Sequence, residues 1–230
     1  MPIYNAPITA LDKTEVLRYA GFRGETPFPN ALLEEACTEA LTLTKPQGIW
    51  NIYKYDAATH MILSQPSFCL ASNNLTHHLE KAIEIAIMTI TIGSELETKA
   101  SASFTDGNYT LGLLLDAAGT AAVETAADAL NKLITTVSAK RGLKTLWRFS
   151  PGYGDWNITN QPQILKLSDG HLAGVSVTST CMLLPRKSVT AVIGLVPAEK
   201  ELSATQQQNN NSNCQICQKQ NCIARKEPNK

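Results

Sequence analysis

Arg148-Phe149-Ser150-Pro151-Gly152-Tyr153-Gly154-Asp155-Trp156 is the stretch on which the fold of this chain is decided. It follows a β-type run, Leu143 to Phe149, and sets a cation, a Pro-Gly turn and two aromatics side by side. Proline fixes the backbone at such a turn, and glycine lets another group approach it closely. Arginine at its base can grip a carboxylate through two parallel hydrogen bonds. The residues alone allow two readings: a site for a small molecule with a zwitterionic end, or a structural hairpin with an exposed arginine.

Outward from this turn, the pattern alternates irregularly between helices and strands. Upstream, Tyr109 to Arg141 is the longest helical pattern, rich in alanine and closed by Gly142. Its small residues suit close packing on a sheet. Ala82 to Ile92 is rich in Ile and Thr and ends at Gly93, which predicts a buried strand. Nearer the N-terminus, Asp12-Lys13-Thr14-Glu15 has the form of a capping box, with a stop at Gly21. Further helices are expected from Asn30 to the Pro46-Gln47-Gly48 turn, over Leu75 to Lys81, over Glu95 to Phe104 and over Asn160 to Leu167. Ile49 to Tyr55 and Met61 to Ser64 read as strands. Ala173 to Leu184 and Ser188 to Val196 read as a hairpin-like pair about Pro185-Arg186-Lys187. Without regular βαβ alternation, the expected class is α+β, a mixed, mainly antiparallel twisted sheet packed with helices.

The chain has 230 residues, 43% of them hydrophobic, enough for a sizeable core. Twenty basic residues balance twenty acidic ones, so no long-range field draws it to nucleic acid or an anionic membrane. No apolar run reaches the ~18 residues of a membrane span, and Met1-Pro2-Ile3-Tyr4-Asn5 lacks a signal-peptide layout. A cytoplasmic protein with reduced cysteines is expected. The organisation predicted is a folded domain over 1–200, a Gln/Asn linker over 201–213 and a cysteine-bearing tail over 214–230.

The tail carries Cys214, Cys217 and Cys222. A Cys-x2-Cys knuckle lets two thiolates reach one tetrahedral ion, so these three are candidate metal ligands, zinc ahead of an iron–sulfur cluster. A fourth ligand from Cys37, Cys69, Cys181 or a partner would close the site; the alternative is a reduced tail without metal. The adjacent pair His77-His78 points to two faces, and His60 and His171 stand alone, so all four histidines read as structural or surface residues. No Gly-x-Gly-x-x-Gly or Walker loop is present.

The turn resembles the signature of the S-adenosylmethionine-binding activation domain of cobalamin-dependent methionine synthase, Arg-x-x-x-Gly-Tyr, at Arg148, Gly152 and Tyr153. The surrounding Arg-Phe-Ser-Pro-Gly-Tyr-Gly-Asp-Trp is similar to that of stand-alone, single-domain relatives. So are Gln161, the stretch Met182-Leu183-Leu184-Pro185-Arg186-Lys187-Ser188, and the small-residue helix from Asp116 to Glu124. The resemblance spans roughly Ser72 to Val196. It implies that Arg148 binds the carboxylate of S-adenosylmethionine and that Glu124 takes its ammonium or positions the turn. Backbone groups of Ser150 to Gly152 would meet the adenine or ribose, and Tyr153 would cover the ligand or lie at the mouth where the corrin ring approaches. It further implies a reactivation subunit of a methyltransferase. Its partners would be the cobalamin-binding module of methionine synthase and an external electron donor of flavodoxin or ferredoxin type. The absence of a recognisable acid–base pair fits transfer from a sulfonium, which is a good leaving group. Two other readings stand beside this one: a non-catalytic assembly or metal- and redox-responsive protein, and an activator of another corrinoid methyltransferase.

Overall fold

The computed structural model describes residues 3–22 and 28–199; the predicted linker and the tail with Cys214, Cys217 and Cys222 lie outside them. Six helices are described: α1 (Lys13–Tyr19), α2 (Asn30–Leu43), α3 (Asn73–His78), α4 (Glu95–Thr105), α5 (Tyr109–Ala139) and α6 (Gln161–Leu167). The strands are β1 (Gln47–Asp56), β2 (Met61–Ile62), β3 (Phe68–Cys69), β4 (Glu84–Thr91), β5 (Leu143–Thr145), β6 (Ser176–Val177), β7 (Leu183–Leu184) and β8 (Ser188–Pro197). Six of them form one sheet in the order β3-β2-β1-β4-β8-β5, with every neighbouring pair antiparallel. The α+β class expected from the pattern is the class observed.

Why β4 reads as an uninterrupted apolar run is clear from its two neighbours in depth. Ala86, Met88, Ile90 and Ile92 face a core built with α1, α2, α4 and α5. Ile85 and Ile87 face a second core with Leu75, Leu79, Phe149, Trp156, Ile164 and Leu167. With helices on both faces, the two-residue period of the strand is hidden, since each position buries something. The capping reading of Asp12 also holds: its carboxylate accepts from Thr14 N at 2.9 Å and Glu15 N at 3.4 Å. The Glu15 side chain turns to Arg18 instead of closing the box.

The predicted hairpin does not form. Ala173 to Leu184 is not one strand: Gly170–Ala173 is a 3-10 turn, and β6 pairs only with β7, in a separate two-stranded sheet. Gly174 at φ 74° and Cys181 at φ 63° bend the chain out of extended geometry, and Thr178 Oγ1 accepts from Met182 N to hold the bend. β8 pairs instead with β4 and β5.

The strand expected over Leu143 to Phe149 is also interrupted, and here the interruption has a purpose. Thr145 lies opposite Leu195, and Phe149 bridges Val192. Four steps along one strand therefore match three along the other, which is a β-bulge within residues 146–148. Its effect is visible in the packing, because Leu146 and Phe149, an odd number of positions apart, both enter the same core.

Candidate functional site

The bulge re-aims Arg148. Its guanidinium is almost fully buried and reaches α5, where Nη2 donates to Glu124 Oε2 at 2.7 Å and Nη1 donates to Asp128 Oδ1. Glu124 and Asp128 are one helical turn apart and share a face of α5. Burial alone would lower the Arg148 pKa, but the facing carboxylates of Glu124 and Asp128 outweigh it, and it is raised above the ordinary arginine value. Beyond Glu124 lies Tyr19 at the end of α1. Burial, with the Glu124 charge adding to it, pushes its phenol up to about 12. Arg18 stacks over the Tyr19 ring at 4.1 Å. Two carboxylates and one guanidinium leave this cluster with one net negative charge.

The turn that follows is held from inside and outside. Gly152 (φ 91°) donates its N–H to Trp156 O at 2.7 Å, Tyr153 N–H donates to Ser150 O at 3.2 Å, and Trp156 N–H donates to Tyr153 O at 2.9 Å. The Gly152 N–H and the Ser150 carbonyl are thus engaged within the turn. Tyr153 stands half exposed at its tip, Gly152 is exposed, Ser150 is partly buried, and Trp156 is buried beside Phe149.

α3 clamps the turn at both ends. At the N-terminus of α3, the Asp155 carboxylate accepts from Ser72 Oγ at 2.6 Å, Asn73 N at 2.8 Å and Asn74 N at 3.3 Å. Desolvation opposes the Asp155 charge, but these donors outweigh it and hold its pKa below the ordinary carboxylate value. At the other end, His78 Nε2 lies 3.0 Å from Trp147 O, and its ring packs 4.1 Å from the Trp147 ring. Burial drives the His78 pKa down to about 4, so at neutral pH the imidazole is uncharged and Nε2–H donates to the carbonyl. His78 is therefore a fixing element of the turn, while His77 is exposed.

Further along the same face of α5, Lys187 Nζ contacts Asp116 Oδ1 and Thr120 Oγ1, each at 2.9 Å. Its stem lies over Gly119, where an added Cβ would come within 3.3 Å of Lys187 Cε. Ser188 Oγ meets Pro185 O at 2.6 Å, and the buried Gln161 amide donates to Thr190 Oγ1 at 2.6 Å. These three pin the start of β8 to its surroundings. A surface depression of about 590 Å³ beside α3, lined by His60, Asn73, Thr76, His77 and Glu80, contains none of the turn residues.

Of the residues read from the sequence, Glu124 and Arg148 come into direct contact, and Ser150, Gly152 and Tyr153 occupy the adjoining turn. Asp128 was not singled out in the sequence; Asp155 was read only as part of the turn, and His78, read as a structural or surface residue, proves structural. Asp128 carried a usable signal, since it follows Glu124 by four positions on a helix. Among the described residues no group of three or more His, Cys, Asp or Glu is placed to hold a metal ion. Cys37 is buried, Cys69 exposed and Cys181 partly buried, all as free thiols. No helix of the described residues is long and apolar enough to cross a membrane.

No protein-family model matches the chain, and no curated protein matches it. Among solved structures, it is similar to the crystal structure of the MetH reactivation domain bound to AdoHcy, with a TM-score of 0.58 and 14% sequence identity. The match covers 94% of this chain and 84% of that chain. At this identity the likeness is one of fold: the chain has the architecture of the MetH reactivation domain.

Proposed function

We propose that this chain binds S-adenosylmethionine or S-adenosylhomocysteine at the Arg148 turn and serves as a reactivation subunit of a cobalamin-dependent methionine synthase. The observation that carries the reading is the Arg148–Glu124 pair, 2.7 Å apart, which joins α5 to the bulge that leads into the Pro-Gly-Tyr turn. It occurs in a fold like that of a domain described with AdoHcy bound. An α-amino acid end has both charges to match it: Arg148 would take the carboxylate and Glu124 the ammonium. Tyr153, half exposed at the tip, is available to lie over the ligand.

In this reading the protein supplies proximity and orientation rather than acid–base chemistry. It would present the sulfonium methyl group to a cobalamin carried by the partner enzyme, with an electron from a flavodoxin- or ferredoxin-type donor. Rigidity of the turn serves that role, because α3 fixes it at Asp155 and at Trp147.

Calorimetric titration with S-adenosylmethionine and S-adenosylhomocysteine tests the binding step. Saturable binding is expected, and Arg148→Ala should weaken it by about 10- to 150-fold, the equivalent of ~1.5–3 kcal/mol for one charged hydrogen-bonded contact. Tyr153→Ala should weaken it as well. Absence of saturable binding at millimolar ligand, or equal affinity in wild type and Arg148→Ala, would overturn the assignment.

A further inference from the structure

Arg148 is held by two carboxylates that are not equivalent. Glu124 has a side chain 35% exposed, and its charge acts on the partly buried Tyr19. The Asp128 side chain is 58% exposed, whereas the Arg148 side chain between them is only 10% exposed. Each carboxylate uses a different nitrogen, Nη2 for Glu124 and Nη1 for Asp128. A ligand carboxylate that binds Arg148 with two parallel bonds needs more than the nitrogen facing Glu124. The partner that can leave at least cost is the one already mostly in water.

Resting on the proposed function, we infer that Asp128 is an internal competitor for the ligand's carboxylate, standing on a guanidinium nitrogen that the carboxylate needs, while Glu124, which stays in place, is the group that favours a ligand with an ammonium beside its carboxylate. With Asp128 on Nη1 the cluster is negative by one charge, so an incoming carboxylate must displace Asp128 before it can bind. When Asp128 turns out to solvent, Arg148 and Glu124 remain as one positive and one negative group. A ligand carrying carboxylate and ammonium together matches both and leaves the local charge balanced. A carboxylate without the ammonium leaves Glu124 facing a second anion.

The test is calorimetric titration of the full chain with S-adenosylhomocysteine in wild type, Asp128→Ala, Glu124→Gln and Arg148→Ala. Alanine at this exposed position favours the helix, so the variant is expected to fold, and a thermal melt verifies it. Asp128→Ala should bind about two- to fivefold more tightly, the scale of a half-exposed ion pair, whereas Glu124→Gln and Arg148→Ala should bind more weakly. Asp128→Asn should also bind more tightly, because the amide is a poorer partner for the guanidinium. Binding in wild type that is lost in Arg148→Ala but unchanged or weakened in Asp128→Ala would overturn the competitor role and leave the ligand site standing. No saturable binding in either wild type or Asp128→Ala would overturn both.

Discussion

Replacing Asp155 by alanine removes the clamp at the N-terminus of α3. The Asp155 carboxylate accepts from one hydroxyl and two backbone N–H groups, Ser72 Oγ, Asn73 N and Asn74 N. Ser72 in turn accepts from Leu75 N at 3.1 Å, so the carboxylate completes the cap of the helix from outside it. The freed N–H groups of Asn73 and Asn74 lie at exposed residues and can turn to water, so those two donors carry no buried-orphan penalty. A charged cap of this kind is worth ~1–2 kcal/mol, and the exposure of Asp155 keeps it from exceeding that. For a chain of this size ~1.5 kcal/mol corresponds to a fall of about 3–6 °C in Tm. The sign with pH follows from the lowered pKa: the stabilisation is present above the unfolded-state value near 3.9 and is lost as pH falls through the folded value beneath it. Urea unfolding of wild type, Asp155→Asn and Asp155→Ala between pH 7 and about 3 measures it. The gap between wild type and Asp155→Ala should narrow towards the acid end, with Asp155→Asn between them at neutral pH. Equal stability at pH 7, or a gap that does not change with pH, would refute the reasoning.

Two other perturbations probe the same region. With a folded pKa of about 4 against an ordinary 6.5, His78 stays neutral in the fold while the unfolded chain takes up the proton. Its stabilising contribution is complete above pH 6.5 and declines towards pH 4, by ~3 kcal/mol at most. Unfolding free energies over that range should slope in wild type and flatten in His78→Gln; parallel slopes would count against the assignment. At Gly194 on β8 an added Cβ would stand 2.6 Å from Leu79 Cδ2 and 2.7 Å from Leu146 Cδ1, both buried. Gly194→Ala should cost ~1–3 kcal/mol in urea unfolding, and an unchanged midpoint would show that the two leucines move aside freely.

Local chemistry made much of the fold legible. α5 is bounded where the sequence suggested, by Asn108 and by Gly142 at φ 71°, and the Ile/Thr run is a strand buried along its whole length. The misread segment, Ala173 to Leu184, shows why the rest was hidden. Its β-branched residues carry a strand preference, but Gly170 fits where an added Cβ would lie 2.3 Å from Leu165 Cδ1, and that packing holds the chain in a tight turn. The same Cβ would lie 2.8 Å from Thr89 Oγ1 on β4, a contact between residues far apart in sequence that leaves no periodic trace. The site divides in the same way. Arg148, Gly152 and Tyr153 announce themselves as a motif, whereas the bulge that directs Arg148 to α5 depends on the register of β8. His77 and His78 are indistinguishable in sequence, and only the packing of Trp147 makes one of them an anchor.

The strand order has a consequence for how the protein comes into being. β8, the last strand of the described chain, lies between β4 and β5. During synthesis, every segment of the Arg148 turn has been made before the strand that receives Phe149 exists. The nascent chain carries β4 with one edge unpaired, and β5 with no neighbour, until residue 197 is added. The site is therefore assembled in a single late step, and a newly made chain interrupted before that step presents a long apolar strand edge, the kind of surface that chaperones exist to shield.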